Sequence, residues 1–278
     1  MTSSDPTPAP NIAFIGGGNM ARSLVAGLRR RGHPGARIRV ADPDAAARQA
    51  LARDFDVTVG DDAVAVLPGA DVVVMAVKPQ VMAGVCTLVA PALPDPAPVF
   101  VSIAAGIRSD QVDAWLGGDR AVVRAMPNTP ALLGEGATGL FANGRCTAAQ
   151  RILAESVLSA VGSTAWIAEE ALMDVVTAVS GSGPAYFFRL IEALEAAAIR
   201  HGLPAGVARA LVVQTAQGAG RMAAGAEEDP ATLRRRVTSP GGTTAAAMAE
   251  LDAQEFDALI DAAVAAAVRR GGELAEVP

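Results

Sequence analysis

Between residues 12 and 165 the chain alternates short, continuous apolar runs rich in Val and Ile with longer stretches of helical pattern; beyond residue 169 the strand signal stops. No other feature restricts the fold as much. The runs at residues 12–15, 38–41, 72–75, 99–103 and 121–125, with a later one near 139–142, lack the apolar–polar alternation of a strand that faces water. Continuous runs belong to strands covered on both faces. The intervening pattern predicts helices over 20–32, 45–55, 80–89, 109–116 and 148–161, with Asp44 and Ser109 as N-caps of the second and fourth. Strand and helix in turn predict a protein of α/β class, its open parallel sheet doubly wound through right-handed crossovers.

From about Glu169 the chain reads as alanine-rich helices punctuated by Gly and Pro. One spans 185–200 and ends at Gly202; the next starts at Pro204 and runs to about Ala224. A short helix follows Pro230, and two more cover 243–251 and 255–270. The expected division is therefore an α/β domain over 1–168 and an all-α domain over 169–278, with no internal repeat. Alanine-rich helices bury little apolar surface one against another. The helical half is expected to pack against a second copy, as a homodimer or a larger assembly.

Composition removes several function classes. With 51% hydrophobic residues and a net charge of −6, the chain is not disordered. That acidic balance, without a basic tail, argues against a nucleic-acid partner. Only Cys86 and Cys146 are present, which fits a reducing compartment and small buried fillers better than a disulfide scaffold. Residues 1–10 carry Asp5 and three prolines but no apolar core, so no signal peptide is expected. The most apolar stretches, 70–77 and 258–268, are too short or interrupted by Asp261 to span a membrane. A cytoplasmic protein is expected, with no membrane partner and no metal site. Of the 23 basic residues only Lys78 is a lysine.

Ile12-Ala13-Phe14-Ile15-Gly16-Gly17-Gly18-Asn19-Met20-Ala21 reads as a strand, a glycine turn and a helix start. Gly16 gives the tight turn, Gly18 lets backbone amides approach a pyrophosphate, and Ala21 fills the third small position. The second strand ends in Asp42, about twenty residues beyond Ala21. A carboxylate there accepts from ribose hydroxyls, or else caps the helix after Pro43. An acid disfavours a 2′-phosphate, whereas Arg22 and Arg48 nearby would suit one, so the cofactor is NADPH or NADH. Later strand ends carry Ala76-Val77-Lys78-Pro79, Ser102-Ile103-Ala104-Ala105 and Met126-Pro127-Asn128-Thr129-Pro130. Small residues and prolines there suit the flat ring of a nicotinamide.

Two further segments, Ser180-Gly181-Ser182-Gly183-Pro184-Ala185-Tyr186 and Val237-Thr238-Ser239-Pro240-Gly241-Gly242-Thr243-Thr244, each precede a helix and offer amides and hydroxyls to an anion. His33 and His201 lie beside glycines at helix ends and read as solvated. Tyr186 reads as a core residue.

In order and spacing, Gly16–Met20, Ala76–Pro79, Met126–Pro130, Ser180–Tyr186 and Val237–Thr244 resemble pyrroline-5-carboxylate reductase, a match that runs from about Asn11 to Arg270, the two C-terminal segments being the most diagnostic. The resemblance implies an N-terminal Rossmann-type domain, a helical dimerisation domain, and often rings of dimers. It implies hydride transfer from NAD(P)H to the C=N carbon of a cyclic imino acid, the last step of proline biosynthesis. It assigns the substrate carboxylate to Ser239, Gly241, Gly242 and Thr243, and the ring nitrogen to Thr244. An upstream carboxylate would correspond to Glu227, within Glu227-Glu228-Asp229. A hydroxyacid reductase of similar plan would use a lysine or histidine of the helical half, which has no lysine and only His201. A non-catalytic dinucleotide-binding protein would leave residues 239–244 unexplained.

Overall fold

The computed structural model describes residues 9–275; for residues 1–8 the expectation of a start without a signal peptide lies outside the described residues. Eight strands form one sheet: β1 (Ile12–Ile15), β2 (Ile38–Ala41), β3 (Thr58–Gly60), β4 (Val72–Met75), β5 (Val99–Ser102), β6 (Val122–Met126), β7 (Gly136–Ala142) and β8 (Gly162–Trp166). The order is β3-β2-β1-β4-β5-β6-β7-β8. Every pairing is parallel except β6 with β7. The β6–β7 link is short, and a parallel return needs a crossover of a dozen residues or more, so β7 turns back antiparallel.

Helices α1 (Asn19–Arg30), α2 (Ala45–Phe55), α3 (Pro79–Val89), α4 (Ser109–Trp115) and α5 (Ala148–Leu158) connect the strands. Strand residues alternate between two cores. Ile12, Phe14, Val72 and Val74 pack with Leu24, Leu51 and Val157 of α1, α2 and α5. Ala13, Ile15, Val73 and Met75 pack with Met82, Cys86 and Val112 of α3 and α4 on the other face. Both faces are thus covered, as the continuous apolar runs require. Asp44 caps α2 by accepting from Ala46 N at 2.8 Å. Ser109 is not a cap. It lies in the first turn of α4, where its N and Oγ donate to Glu170 at 2.6 and 2.7 Å.

The remaining helices are α6 (Met173–Val176), α7 (Gly183–Arg200), α8 (Ala205–Gly225), α9 (Pro230–Arg236), α10 (Thr243–Ala253) and α11 (Phe256–Ala275). The chain divides into two compact units: one runs to Ser182 and takes up the chain again from Ala267, and the other is Gly183–Ala266. No helix among the described residues is long and apolar enough to cross a membrane. Tyr186, expected in a core, is only half-buried. Cys86 is fully buried, which pushes its thiol up to about 11 and leaves it inert at neutral pH.

Gly27 shows how closely α1 sits. A Cβ there would meet the Ala160 carbonyl oxygen and lie 2.7 Å from Val161 Cγ1. Helix propensity favours Ala over Gly by about 1 kcal/mol, but overpacking costs about 1–3 kcal/mol. Gly27→Ala is therefore expected to lower the unfolding free energy in urea despite its better propensity; a stabilised variant would contradict the packing.

His33 is half-buried, not a freely solvated residue. Its Nε2 is buried without a partner among the described residues, and burial, with Arg37 and Arg29, lowers its pKa from 6.5. The unfolded chain then binds the proton more readily than the fold. This contribution to stability should be full above the ordinary histidine value and be lost as pH falls from there through the lowered value of the fold. His33→Gln should flatten that part of the stability–pH profile, read by urea melts across the range.

Candidate functional site

At β1 the strand order reverses, with β2 on one side and β4 on the other. Ligands of open α/β sheets lie beyond the carboxyl ends of strands at such a point. The structure brings three strand ends together there. Gly16 N donates to Ala41 O and Ala76 N to Ile15 O, both at 2.7 Å. Gly16 has φ +101°, and a Cβ on it would meet the Ala76 carbonyl oxygen, with Val77 N at 3.1 Å. Only glycine fits. Gly18, by contrast, is exposed and has open space around it.

Gly18 is the N-cap of α1, without a side-chain cap bond or an acidic residue in the first turn. The first-turn amides, those of Asn19 and Met20 among them, face outward with the positive end of the helix behind them. This cradle fits the pyrophosphate of a dinucleotide. Ala21 is buried in the core below it. Asp42 lies beside the loop, its Oδ2 accepting from Gly17 N at 2.6 Å and its Oδ1 from Asp44 N at 2.8 Å. The cap of α2 is Asp44, so Asp42 does not serve as one.

The neighbouring strand ends complete this edge. Lys78 is exposed and is the N-cap of α3, and Pro79 occupies the first helical position. Beyond β5, Ala104 is buried and Ala105 exposed, while Ser102 Oγ is buried with no partner among the described residues. Beyond β6, both ends of the Asn128 amide are engaged. Nδ2 donates to Ser180 O at 3.0 Å, and Oδ1 accepts from Ala137 N at 2.9 Å. Asn128 thus ties the end of β6 to β7 and to the Ser180 motif.

That motif is not an open anion-binding loop. Residues Thr177–Gly181 form a π-helical turn in which Ser182 N donates to Thr177 O at 2.8 Å. Gly181 leaves room for Met126, whose Cε would lie 2.5 Å from a Cβ there. Buried Arg124 escaped the sequence reading. It pairs with Asp174 at 3.1 Å and Glu170 at 3.6 Å, and so anchors α6 and the residues just before it to β6. A lone arginine inside the otherwise apolar run of β6 was the available signal.

The second unit holds the other motif. Gly242 N donates to Ser239 O at 3.0 Å and Gly241 has φ +69°, so Pro240 and Gly241 occupy the positions a type II turn demands. Gly242 is the N-cap of α10, without a side-chain cap bond or an acidic first turn. Thr243 is exposed and Thr244 half-buried in that turn. In the preceding acidic stretch, Glu228 pairs with Arg236 and Asp229 caps α9, accepting from Thr232 N at 2.8 Å. Glu227 is exposed and has no ion pair or hydrogen bond among the described residues.

Gly16→Val would introduce a branched side chain at φ +101° against Ala76. It is expected to abolish dinucleotide binding in a fluorescence titration and to leave the light-scattering mass unchanged. Retained tight binding would remove the β1–α1 loop from the site.

Residues 170–274 match the family model for pyrroline-5-carboxylate reductase dimerisation, and residues 11–106 the model for NADP oxidoreductase, coenzyme F420-dependent. A pyrroline-5-carboxylate reductase of Pseudomonas aeruginosa is 53% identical over 267 residues, 96% of this chain and 97% of that protein. The solved structure of a pyrroline-5-carboxylate reductase from Coxiella burnetii, 41% identical, superimposes with a TM-score of 0.94 over 97% of this chain and 100% of that one. A Plasmodium falciparum pyrroline carboxylate reductase, solved with NADP bound, is 25% identical with a TM-score of 0.83, over 98% of this chain and 100% of that one.

Proposed function

The chain belongs to the pyrroline-5-carboxylate reductase family, and from that premise we propose which of its residues hold the two reactants. The reaction is reduction of 1-pyrroline-5-carboxylate to L-proline, the last step of proline biosynthesis, by an NAD(P)H-dependent oxidoreductase. The observation that carries this reading is likeness along the whole chain, which takes in the glycine turn at β1 and the Ser239 motif at α10 alike.

Bound NAD(P)H supplies the hydride. Gly16, Gly18, Asn19 and Met20 hold its pyrophosphate, and Asp42 meets the adenosine ribose. Ala76, Val77, Lys78, Pro79, Ala104, Ala105 and Asn128 form the edge on which the nicotinamide lies. Asn128 acts there through the backbone it fixes, since both ends of its amide are taken. The uncapped start of α10 holds the substrate carboxylate through Ser239, Gly241, Gly242 and Thr243. Thr244 hydrogen-bonds the ring nitrogen, and Glu227 is the carboxylate left free to act beside it.

No strong acid or base is required. The C=N nitrogen protonates in water near neutral pH, and the hydride then adds to carbon to give the secondary amine with no further proton to move. Proximity, orientation and one neutral hydroxyl suffice.

The protein carries a dimerisation domain, and the assembly we propose is a cytoplasmic homodimer, with dimers joined into a larger ring. Its support lies in the second unit. Phe187, Phe188 and Leu259 are each about two-thirds exposed. Phe187, Leu190, Leu194 and Leu211 line an apolar groove of about 530 Å³ between α7 and α8. An apolar surface of this kind marks an interface.

Oxidation of NADPH and NADH by the purified protein, with and without 1-pyrroline-5-carboxylate, tests the reading directly. Thr244→Ala should lower kcat/KM for the imine by about tenfold or more, the loss of one hydrogen bond made to a charged group, with coenzyme affinity unchanged. An unaltered kcat/KM would take Thr244 out of the site.

A further inference from the structure

We propose that Asp42 biases this chain toward NADH, by fixing a negative charge where the 2′-phosphate of NADPH would have to lie. The inference rests on reading the β1–α1 loop as the dinucleotide site. Asp42 directly follows β2, the strand beside the glycine turn, and from there a side chain reaches the adenosine ribose in a sheet of this order.

The carboxylate is not free to swing aside. Two backbone amides hold it, Gly17 N on Oδ2 at 2.6 Å and Asp44 N on Oδ1 at 2.8 Å. Packing closes the gap behind it: a Cβ on Gly17 would lie 3.3 Å from Asp42 Cβ and 2.9 Å from Leu51 Cδ1. An ionised carboxylate accepts only, so its remaining lone pairs match ribose hydroxyls and repel a phosphate.

The arginines that flank it are already engaged. Arg22 on α1 pairs with Asp54 and lies 4.9 Å from the centre of the Phe55 ring. Arg53 and Arg22 together hold the Asp54 carboxyl down to about 2. Arg48 on α2 donates Nη1 to the carbonyls of Asp42 and Pro43, at 2.7 and 2.9 Å. To receive a 2′-phosphate, either guanidinium would have to leave these partners and also outweigh the fixed charge of Asp42.

Calorimetric titration of the full-length protein with NADH, NADPH, ADP and 2′-phosphorylated ADP reads this without turnover, the last two isolating the ribose end. NADH and ADP should each bind about tenfold or more tightly than the 2′-phosphorylated counterpart, the size expected of a like-charge contact, and the gap should widen at low salt. Asp42→Ser should remove the gap. Asp42→Asn should remove it too while keeping an acceptor for Gly17 N, which separates loss of charge from a loosened loop. Equal or tighter binding of NADPH by the unaltered chain overturns the proposal, as does a gap that persists in Asp42→Asn. Failure of both coenzymes to bind would reject the dinucleotide reading of the loop, and this inference with it.

Discussion

The close approach of three backbones at Gly16 is the constraint on which the rest of the α/β unit depends. β1 feeds into a turn whose amide is bonded to the end of β2 and whose Cα faces the carbonyl that follows β4. Any side chain would push β4 away from β1 and open the sheet where its order reverses. With glycine in place, the starts of α1 and α3 come to one edge, and the carboxyl ends of β4, β5 and β6 extend it. The binding edge and the centre of the sheet are one packing solution.

What was legible in the residues follows from how completely each element is buried. β1, β2, β4 and β5 are covered on both faces and read as unbroken apolar runs, so their positions matched the pattern to within a residue. β3 and β8, the two edge strands, did not. Thr58–Gly60 is three residues long and half-exposed, and Gly162–Trp166 alternates exposed with half-buried residues. A strand with one neighbour needs less apolar surface and leaves a weaker signal. The reversed direction of β7 was invisible to periodicity, because alternation in side-chain facing is the same in both directions.

Side-chain roles were harder to read than elements, since each partner is distant in the chain. Asn128 bridges residues 9 and 52 positions away, and Glu170 reaches 61 positions back to Ser109. Composition and spacing carry no trace of such pairings. The glycine turn and the Ser239 motif were legible because their chemistry is local: a turn, a positive φ and an uncapped helix start lie within six or seven consecutive residues.

Three helix starts elsewhere in the chain are closed by their own side chains. Asp44 caps α2, Thr147 caps α5 and Asp229 caps α9, each accepting from a first-turn amide. Gly18 and Gly242 occupy the same position at α1 and α10 and offer no oxygen. A capped helix spends its free amides and positive end on itself; an uncapped one keeps them for a ligand. Stability is forgone at Gly18 and Gly242, by roughly a few tenths of a kcal/mol each, and both lie in motifs that a reductase of an anionic imine would need. One start suits a pyrophosphate and the other a carboxylate. An enzyme whose substrate arrives already activated by a proton needs no histidine or lysine as acid or base, and backbone amides and hydroxyls at such helix starts are enough to hold and orient it.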